Sequence, residues 1–275
     1  MGPKPLSSFD DQHHERFMDQ GYLRLGKLLS PEQLAALQQR IDAIMLGRIR
    51  YENMRFQLDP NAPQHTLSRT IGHDVPTLNY RRIDDLEQDP LFLTYMQHPL
   101  LRQITRRYIG ADVAVFRSMF MNKPAELGTV LKWHQDIGSG WGIDTNPITT
   151  VWTALDAATV ASGCMQIVPG SNKLGILNEN HFTSAQDQAK YARDEDVIEL
   201  EAEAGEAVLL HNFLLHRSGI NTTSAPRRAF SATYMDASTR SVRTGDAFPI
   251  LFGKGALKPA TVTGKEAARV QVFHG

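Results

Sequence analysis

A histidine and an aspartate stand two residues apart in "LKWHQDIGSGWG", at His134 and Asp136. On an extended strand, residues i and i+2 project from the same face. If "KWHQDI" is extended, His134 and Asp136 point together and Gln135 points away. A metal asks this geometry of two ligands close in sequence. A third ligand must come from another strand, and "GEAVLLHNFLLHRSG" offers His211 and His216. Two histidines and one carboxylate on one face of an octahedron leave three positions open, the pattern of mononuclear non-haem Fe(II) sites. A chelating keto acid and dioxygen would fill those positions, which a closed four-ligand structural site does not provide. Taken alone the His-x-Asp pattern is common, and a polar loop or a histidine satisfied by a neighbouring carboxylate would also produce it.

The residues after His216 add a second feature. Arg227 follows 11 positions later, at the head of "RRAFSATYMD". If that run is extended, Arg227, Ala229 and Ser231 share one face and Arg228 takes the other. A buried arginine beside a hydroxyl is a fork for a carboxylate. It suits the far carboxylate of a dicarboxylic keto acid whose near end chelates a metal. The bland alternative is a surface ion pair on a strand edge. In "VFRSMFMNK", Arg117 has the strand parity of Met119 and is expected to face the interior. A buried arginine there needs an anion, from an internal carboxylate or from an acidic group of a substrate.

The elements that must position these residues change texture along the chain. "DDQHHERFMDQG" reads as a short amphipathic helix ending at Gly21, and "YLRLGKLL" as an edge strand. "SPEQLAALQQRIDAIMLG" is a helix with Ser30 as N-cap, Pro31 at its first turn and Gln33 completing a capping box. Its apolar stripe is Leu34, Leu37, Ile41 and Ile44/Met45. Residues 50–80 carry little periodicity and read as a long excursion that forms one wall of a cleft. "DPLFLTYMQHPLLRQITRRYIG" predicts two short helices broken at Pro99. From Asp112 onward, short runs rich in Val, Ile, Thr and Phe are bounded by Gly, Pro, Asn and Ser, without intervening amphipathic helices. That is an antiparallel sandwich or barrel. One domain is expected over 1–275, with a mostly helical layer (1–110), a β core (111–236) and a C-terminal extension (237–275) that covers the site or a partner.

Bulk composition narrows the function. The 275 residues are 41% hydrophobic and 21% charged, with a net charge of −1. That balance supplies a sizeable core and no electrostatic footprint for nucleic acid or a membrane surface. The N-terminus lacks an apolar signal segment, and no window of 18 apolar residues predicts a membrane span. The single cysteine, Cys164, permits no internal disulfide, fits a cytoplasmic setting and reads as a buried small hydrophobe. His13, His14, His65, His73, His98 and His274 have no partner at ligand spacing.

With these motifs the sequence resembles the phytanoyl-CoA dioxygenase family of Fe(II)- and 2-oxoglutarate-dependent oxygenases. The resemblance runs from the N-terminal helices to about Asp236. It is strongest in "MFMNKPAELGTVLKWHQD", "VWTALD", "SGCMQIVPGS", "AGEAVLLHNFLLHRSGIN" and "RRAFS". It implies a double-stranded β-helix, a cupin-like jelly-roll relative, with helices outside one sheet. It implies Fe(II) on His134, Asp136 and His216, leaving His211 as a core residue. It also implies 2-oxoglutarate on Arg227, with Ser231 as helper, Trp152 and Met119 lining its pocket, and Arg82, or its neighbour Arg81, as a further basic contact. Related halogenases lack the carboxylate that Asp136 supplies, so the resemblance favours hydroxylation or another oxidation over halogenation here.

The expected substrate is a small molecule that enters between the helical layer, the loop after Asp136 and residues 172–195. Arg117, Trp141, Asn178 and His181 are its expected contacts, Asn180 beside them. A polar or acidic metabolite is favoured: an amino acid derivative, an aminoalkylphosphonate or a natural-product intermediate. A fatty acyl-CoA is the alternative that the family name raises, since one fold hosts many substrates. Two rival classes remain. A cupin-like metal-dependent hydrolase or isomerase explains the ligands but not Arg227 with Ser231. A non-catalytic binding protein would have no need of an intact ligand set.

Overall fold

The computed structural model describes residues 4–63, 69–177, 181–262 and 265–266. In chain order the first part comprises α1 (Asp11–Gln20), β1 (Tyr22–Lys27), α2 (Pro31–Met45), β2 (Ile49–Arg50), β3 (Arg55–Leu58), β4 (Thr70–Ile71), β5 (Tyr80–Asp84), α3 (Pro90–Met96) and α4 (Pro99–Tyr108). The β-rich part follows with β6 (Val113–Lys123), β7 (Leu131–His134), β8 (Thr149–Ala154), β9 (Met165–Ile167), α5 (Ala185–Tyr191), β10 (Ile198–Leu200), β11 (Glu206–His211), β12 (His216–Ser218), β13 (Arg227–Asp236), β14 (Ile250–Phe252) and β15 (Lys265–Glu266).

Local signals explain the helices. Asp10 caps α1 by accepting from the His13 amide, and Gly21 ends the helix at φ 76°. A side chain at Gly21 would also collide with Asn172, its Cβ lying 2.6 Å from Asn172 Oδ1. Ser30 and Gln33 form the capping box of α2, which buries Leu37, Ile41, Ile44 and Met45. Proline occupies the first turn of α2, α3 and α4, where its missing N–H costs nothing.

Nine strands form a large sheet in the order β1-β11-β8-β13-β6-β5-β3-β4, with β14 also pairing β6. Four strands form a smaller sheet, β10-β9-β12-β7. This is the double-stranded β-helix, mainly antiparallel with flanking helices. The parity of the central strands divides the large sheet into two faces with different work. Phe120, Phe230, Tyr234, Val151 and Leu209 point outward into a core shared with Phe17, Ile41, Phe92 and Ile104 of the helices. Burying one such aromatic side chain contributes about 1.5–3 kcal/mol. The opposite face meets the smaller sheet across a second cluster that includes Trp152, Ile167, Val208 and Leu210.

Two expectations need correcting. Residues 50–80 are not a strandless wall. They contain the end of β2, all of β3 and β4 and the start of β5, and the last three extend the large sheet past β6. Elements of two to four residues are too short to display a period, so hydrophobic patterning missed them. The first 110 residues therefore supply strands as well as a helical layer. The C-terminal extension does more than cover its neighbours: β14 joins the large sheet by pairing with β6 and buries Leu251 and Phe252.

Candidate functional site

The inner face of the large sheet is a set of registered side chains. On β6 they are Arg117, Met119, Met121 and Lys123. Their partners on β13 are Thr233, Ser231, Ala229 and Arg227. Across β13, Ser231 pairs with Trp152 and Thr233 with Thr150 of β8. The smaller sheet lies opposite and presents His134 and His216, which are direct cross-strand partners. A cavity of about 160 Å³ separates the two layers, and its wall includes His134, Asp136, His216, Arg227, Ser231 and Trp152.

The pairing of β7 with β12 brings the two imidazoles together, with ring centroids 4.0 Å apart. His134 Nδ1 lies 2.8 Å from the Lys132 carbonyl, and His216 Nδ1 lies 2.9 Å from the Leu214 carbonyl. A carbonyl oxygen only accepts, so both Nδ1 atoms carry the proton and both Nε2 lone pairs are free. Each Nε2 lies 3.7 Å from an oxygen of the Asp136 carboxylate. That gap is too long for a hydrogen bond. It is one that two ligand bonds of about 2.1 Å would span.

Asp136 lies just past the end of β7 rather than within it, and its amide is held by the Asn212 carbonyl at 2.8 Å. Gln135 points away, donating to the Gly175 and Phe213 carbonyls and accepting from the Leu177 amide. It thereby ties the loop after β9 to the turn before β12. Burial first, then the neighbouring His216, pushes the His134 pKa down to about 3, so the imidazole is neutral. Burial opposes ionisation of Asp136. The neighbouring His216, His134, His181 and Arg117 outweigh it, and the carboxyl stays below its ordinary value. A neutral imidazole beside an ionised carboxylate is what a divalent cation requires of such donors.

His181 approaches the same point from a loop. Ligand atoms of His134, Asp136 and His181 all lie within 4.8 Å of one another. Four donors therefore converge, one more than the sequence assigned to the metal. His216 has an anchored ring on a paired strand. His181 sits at φ 77°, a strained conformation for a non-glycine residue, and its Nδ1 lies 3.5 Å from the Trp141 indole nitrogen. His134, Asp136 and His216 are thus the preorganised set, and His181 borders it. His211 does not reach the site. Its Nδ1 accepts from the Phe213 amide, and its ring packs on Phe17.

The far end of the cavity is cationic. Arg227 is buried, donates to the Gly163 carbonyl at 2.7 Å, and leaves Nε without a partner among the described residues. Burial pushes its pKa down to about 10. Lys123, its register partner, donates to the Thr129 carbonyl. Burial and the adjacent Arg227 and Arg81 push Lys123 down to about 7. Arg81 and Arg82 both line this cavity. Along β5, Gln57 pairs with Arg82 and Leu58 with Tyr80, so Arg81 is the extra residue of a β-bulge. The bulge lets two consecutive arginines face one side. Arg82 is neutralised by Asp84 at 2.8 Å, whereas Arg81 has no ion pair among the described residues. Such a wall lacks an anion.

Sequence reasoning missed Lys123 and Ser218 here. Both were accessible by parity, Lys123 from Met119 and Ser218 from His216. The structure brings Met119, Trp152, Arg117 and His181 to the cavity as expected. Trp141 lies beside it, under Arg117, and Asn178 lies outside the described residues, as do Asn180, His65 and His274.

The sequence model of the family described as phytanoyl-CoA dioxygenase (PhyH) matches residues 17–229, which include every one of the converging donors. The chain belongs to the phytanoyl-CoA dioxygenase family. As a member it is a 2-oxoglutarate-dependent dioxygenase. The phytanoyl-CoA dioxygenase of Arabidopsis thaliana is 29% identical over 241 residues, covering 78% of this chain and 84% of that protein. A probable phytanoyl-CoA dioxygenase of Caenorhabditis elegans is 27% identical over 229 residues, covering 78% and 71%. Among solved structures, EctD from S. alaskensis with 2-oxoglutarate and 5-hydroxyectoine superposes with a TM-score of 0.65 at 18% identity, covering 94% of this chain and 88% of that one. SnoK, a non-haem α-ketoglutarate-dependent carbocyclase from nogalamycin biosynthesis, superposes at 0.64 with 20% identity, covering 88% and 89%. At these identities the likeness is one of fold. Among the described residues no helix is long and apolar enough to cross a membrane.

Proposed function

We propose that this phytanoyl-CoA dioxygenase family member binds Fe(II) and 2-oxoglutarate and hydroxylates a C–H bond of a small polar or acidic metabolite. An amino acid derivative, an aminoalkylphosphonate or a natural-product intermediate has that character. One oxygen atom of O2 enters the substrate as hydroxyl and the other enters succinate, with loss of CO2. The observation that carries the reading is the pair of imidazoles whose Nδ1 protons are tied to nearby backbone carbonyls, leaving both Nε2 atoms free and each 3.7 Å from an oxygen of the Asp136 carboxylate.

His134, Asp136 and His216 hold the metal, and Arg227 receives the distal carboxylate of 2-oxoglutarate in a two-pronged hydrogen bond. Ser231 and Ser218 add hydroxyls beside it, while Lys123 and Arg81 balance its charge. Trp152 and Met119 form the apolar sides that fix the cosubstrate chain. Bound iron supplies the redox chemistry that couples keto-acid decarboxylation to substrate oxidation by dioxygen. The protein holds the target C–H bond near the metal and excludes water. Arg117, Trp141, His181 and Asn178 are assigned to the substrate side.

The names of the relatives favour a second reading, hydroxylation of a fatty acyl-CoA. The surplus of cations facing the interior favours an acid. With Fe(II), 2-oxoglutarate and air, a fractionated metabolite pool should accelerate succinate formation, and His216→Ala protein should show no acceleration. Succinate no faster than with free iron in every fraction would overturn the reading.

A further inference from the structure

A second cavity, of about 440 Å³, opens beside the metal site. That size lies within the roughly 300–1,000 Å³ usual for small-molecule pockets. It exists because the outer edge of β6 is only partly covered. β5 pairs with Met119–Met121 and β14 with Val113 and Ala114, leaving Phe116–Ser118 without a strand on that side among the described residues. Phe116 is itself the extra residue of a bulge, since Thr233 pairs with Arg117 and Tyr234 with Val115. Its ring turns onto Trp141, with centroids 5.1 Å apart, and meets Phe248 from the C-terminal segment at 5.7 Å.

Among the described residues only Arg82 and Arg117 line both cavities. Arg82 is paired with Asp84, and Arg55 nearby is paired with Asp85. Arg117 has no hydrogen-bond or ion-pair partner among the described residues. Its guanidinium carbon lies 4.1 Å over the Trp141 ring, which fixes its plane and leaves its N–H edge free. Burial pushes its pKa down to about 10, and the nearby Asp136 acts in the opposite direction. A half-buried cation held on an aromatic face, with no partner for its N–H donors among the described residues, is built for an anion. Arg227 and Lys123 line only the first cavity, so the two cationic ends are distinct. Arg117 and Lys123 are six residues apart on one strand, roughly 20 Å.

We infer that the second cavity is the substrate chamber, and that the substrate is a free acid, a carboxylate or phosphonate, whose anionic group docks on Arg117 while an apolar portion lies against Phe116 and Phe248. This rests on the proposed oxygenase reading and narrows its substrate class. Trp141 links the chamber to the metal site through His181, whose ring lies 4.7 Å from that of His134. An acid on Arg117 therefore sits next to the reacting position. A fatty acyl thioester is uncharged at that end and would leave Arg117 unpaired.

The test uses anaerobic full-length protein loaded with Fe(II) and 2-oxoglutarate, titrated calorimetrically with phenylacetate, phenylphosphonate and the neutral phenylacetamide. At least one of the two anions should bind about tenfold or more tightly than the amide. The two anionic arms separate a carboxylate from a phosphonate. Arg117→Met should abolish that preference while leaving 2-oxoglutarate affinity unchanged. Equal or absent binding of anions and amide overturns the assignment, as does a preference that survives Arg117→Met. Loss of 2-oxoglutarate affinity in that variant overturns it too, by moving Arg117 to the cosubstrate. If the wild-type protein forms no visible Fe(II)–2-oxoglutarate band, the oxygenase reading has failed instead.

Discussion

Replacing Arg227 by Met should destroy cosubstrate binding without weakening the fold. Arg227 is 5% exposed, makes one hydrogen bond to the Gly163 carbonyl, and leaves Nε unpartnered among the described residues. In the ligand-free protein it is a buried cation with no ion-pair partner among the described residues, which costs stability. A carboxylate docked on it gains charge-assisted hydrogen bonds of about 1.5–3 kcal/mol each. Lys123 stays beside the site in the variant, so the carboxylate is not left without a cation. The loss should then be about 2–4 kcal/mol, or roughly 30- to 1,000-fold in Kd. Arg227→Lys retains charge but loses the planar fork and should lose about tenfold. Anaerobic titration of Fe(II)-loaded protein with 2-oxoglutarate measures Kd, and thermal unfolding of the apoprotein measures stability. The apo Tm of Arg227→Met should equal or exceed that of wild type. A Kd within about threefold of wild type, or an apoprotein that no longer folds, would refute the reasoning.

Two further outcomes follow from the same geometry. Arg228, one residue on, should behave oppositely: it binds Asp156 through Nε and Nη2 at 2.7 and 2.9 Å, and Asp42 of α2 at 2.5 Å. Arg228→Met should therefore destabilise the protein by roughly 1–3 kcal/mol, discounted for partial exposure, and leave 2-oxoglutarate affinity intact, as urea unfolding and titration would measure. Lys123 titrates near 7 in the ligand-free protein because burial and adjacent Arg227 disfavour its charge. Its folded pKa is below its unfolded value, so the destabilisation it causes is fully present below pH 7 and disappears as pH rises toward the usual lysine range. A bound carboxylate restores the charge, so 2-oxoglutarate binding between about pH 7 and 10 should take up protons. Calorimetry in buffers of different ionisation enthalpy reads that uptake, and Lys123→Met should abolish it.

The convergence of His134, Asp136 and His216 and the inward facing of Arg227 were legible in the sequence because each lies on or beside a strand whose parity sets its direction. His134 with Asp136, and Arg227 with Ser231, needed only a period of two. The divergent fates of Arg227 and Arg228 follow from the same rule. What parity could not reveal lies at bulges and loops. Arg81 and Phe116 face cavities only because an extra residue shifts the register of β5 and β6. His181 arrives on a backbone of positive φ that no periodicity announces. The strands within 50–80 were too short to show a pattern, although they build one wall of the second cavity. Choosing His216 over His211 required the resemblance, since both histidines share one apolar run. The structure gives the physical reason: the turn between β11 and β12 sends His211 to Phe17 and pairs His216 with His134.

The central claim is that His134, Asp136 and His216 hold an Fe(II) that 2-oxoglutarate chelates. Adding Fe(II) and then 2-oxoglutarate to the anaerobic protein should produce a weak visible charge-transfer band that depends on both. The band should be absent from His134→Ala, Asp136→Ala and His216→Ala proteins that retain the wild-type fold. A band that persists in any of these variants, or a wild-type protein that forms none, would contradict it.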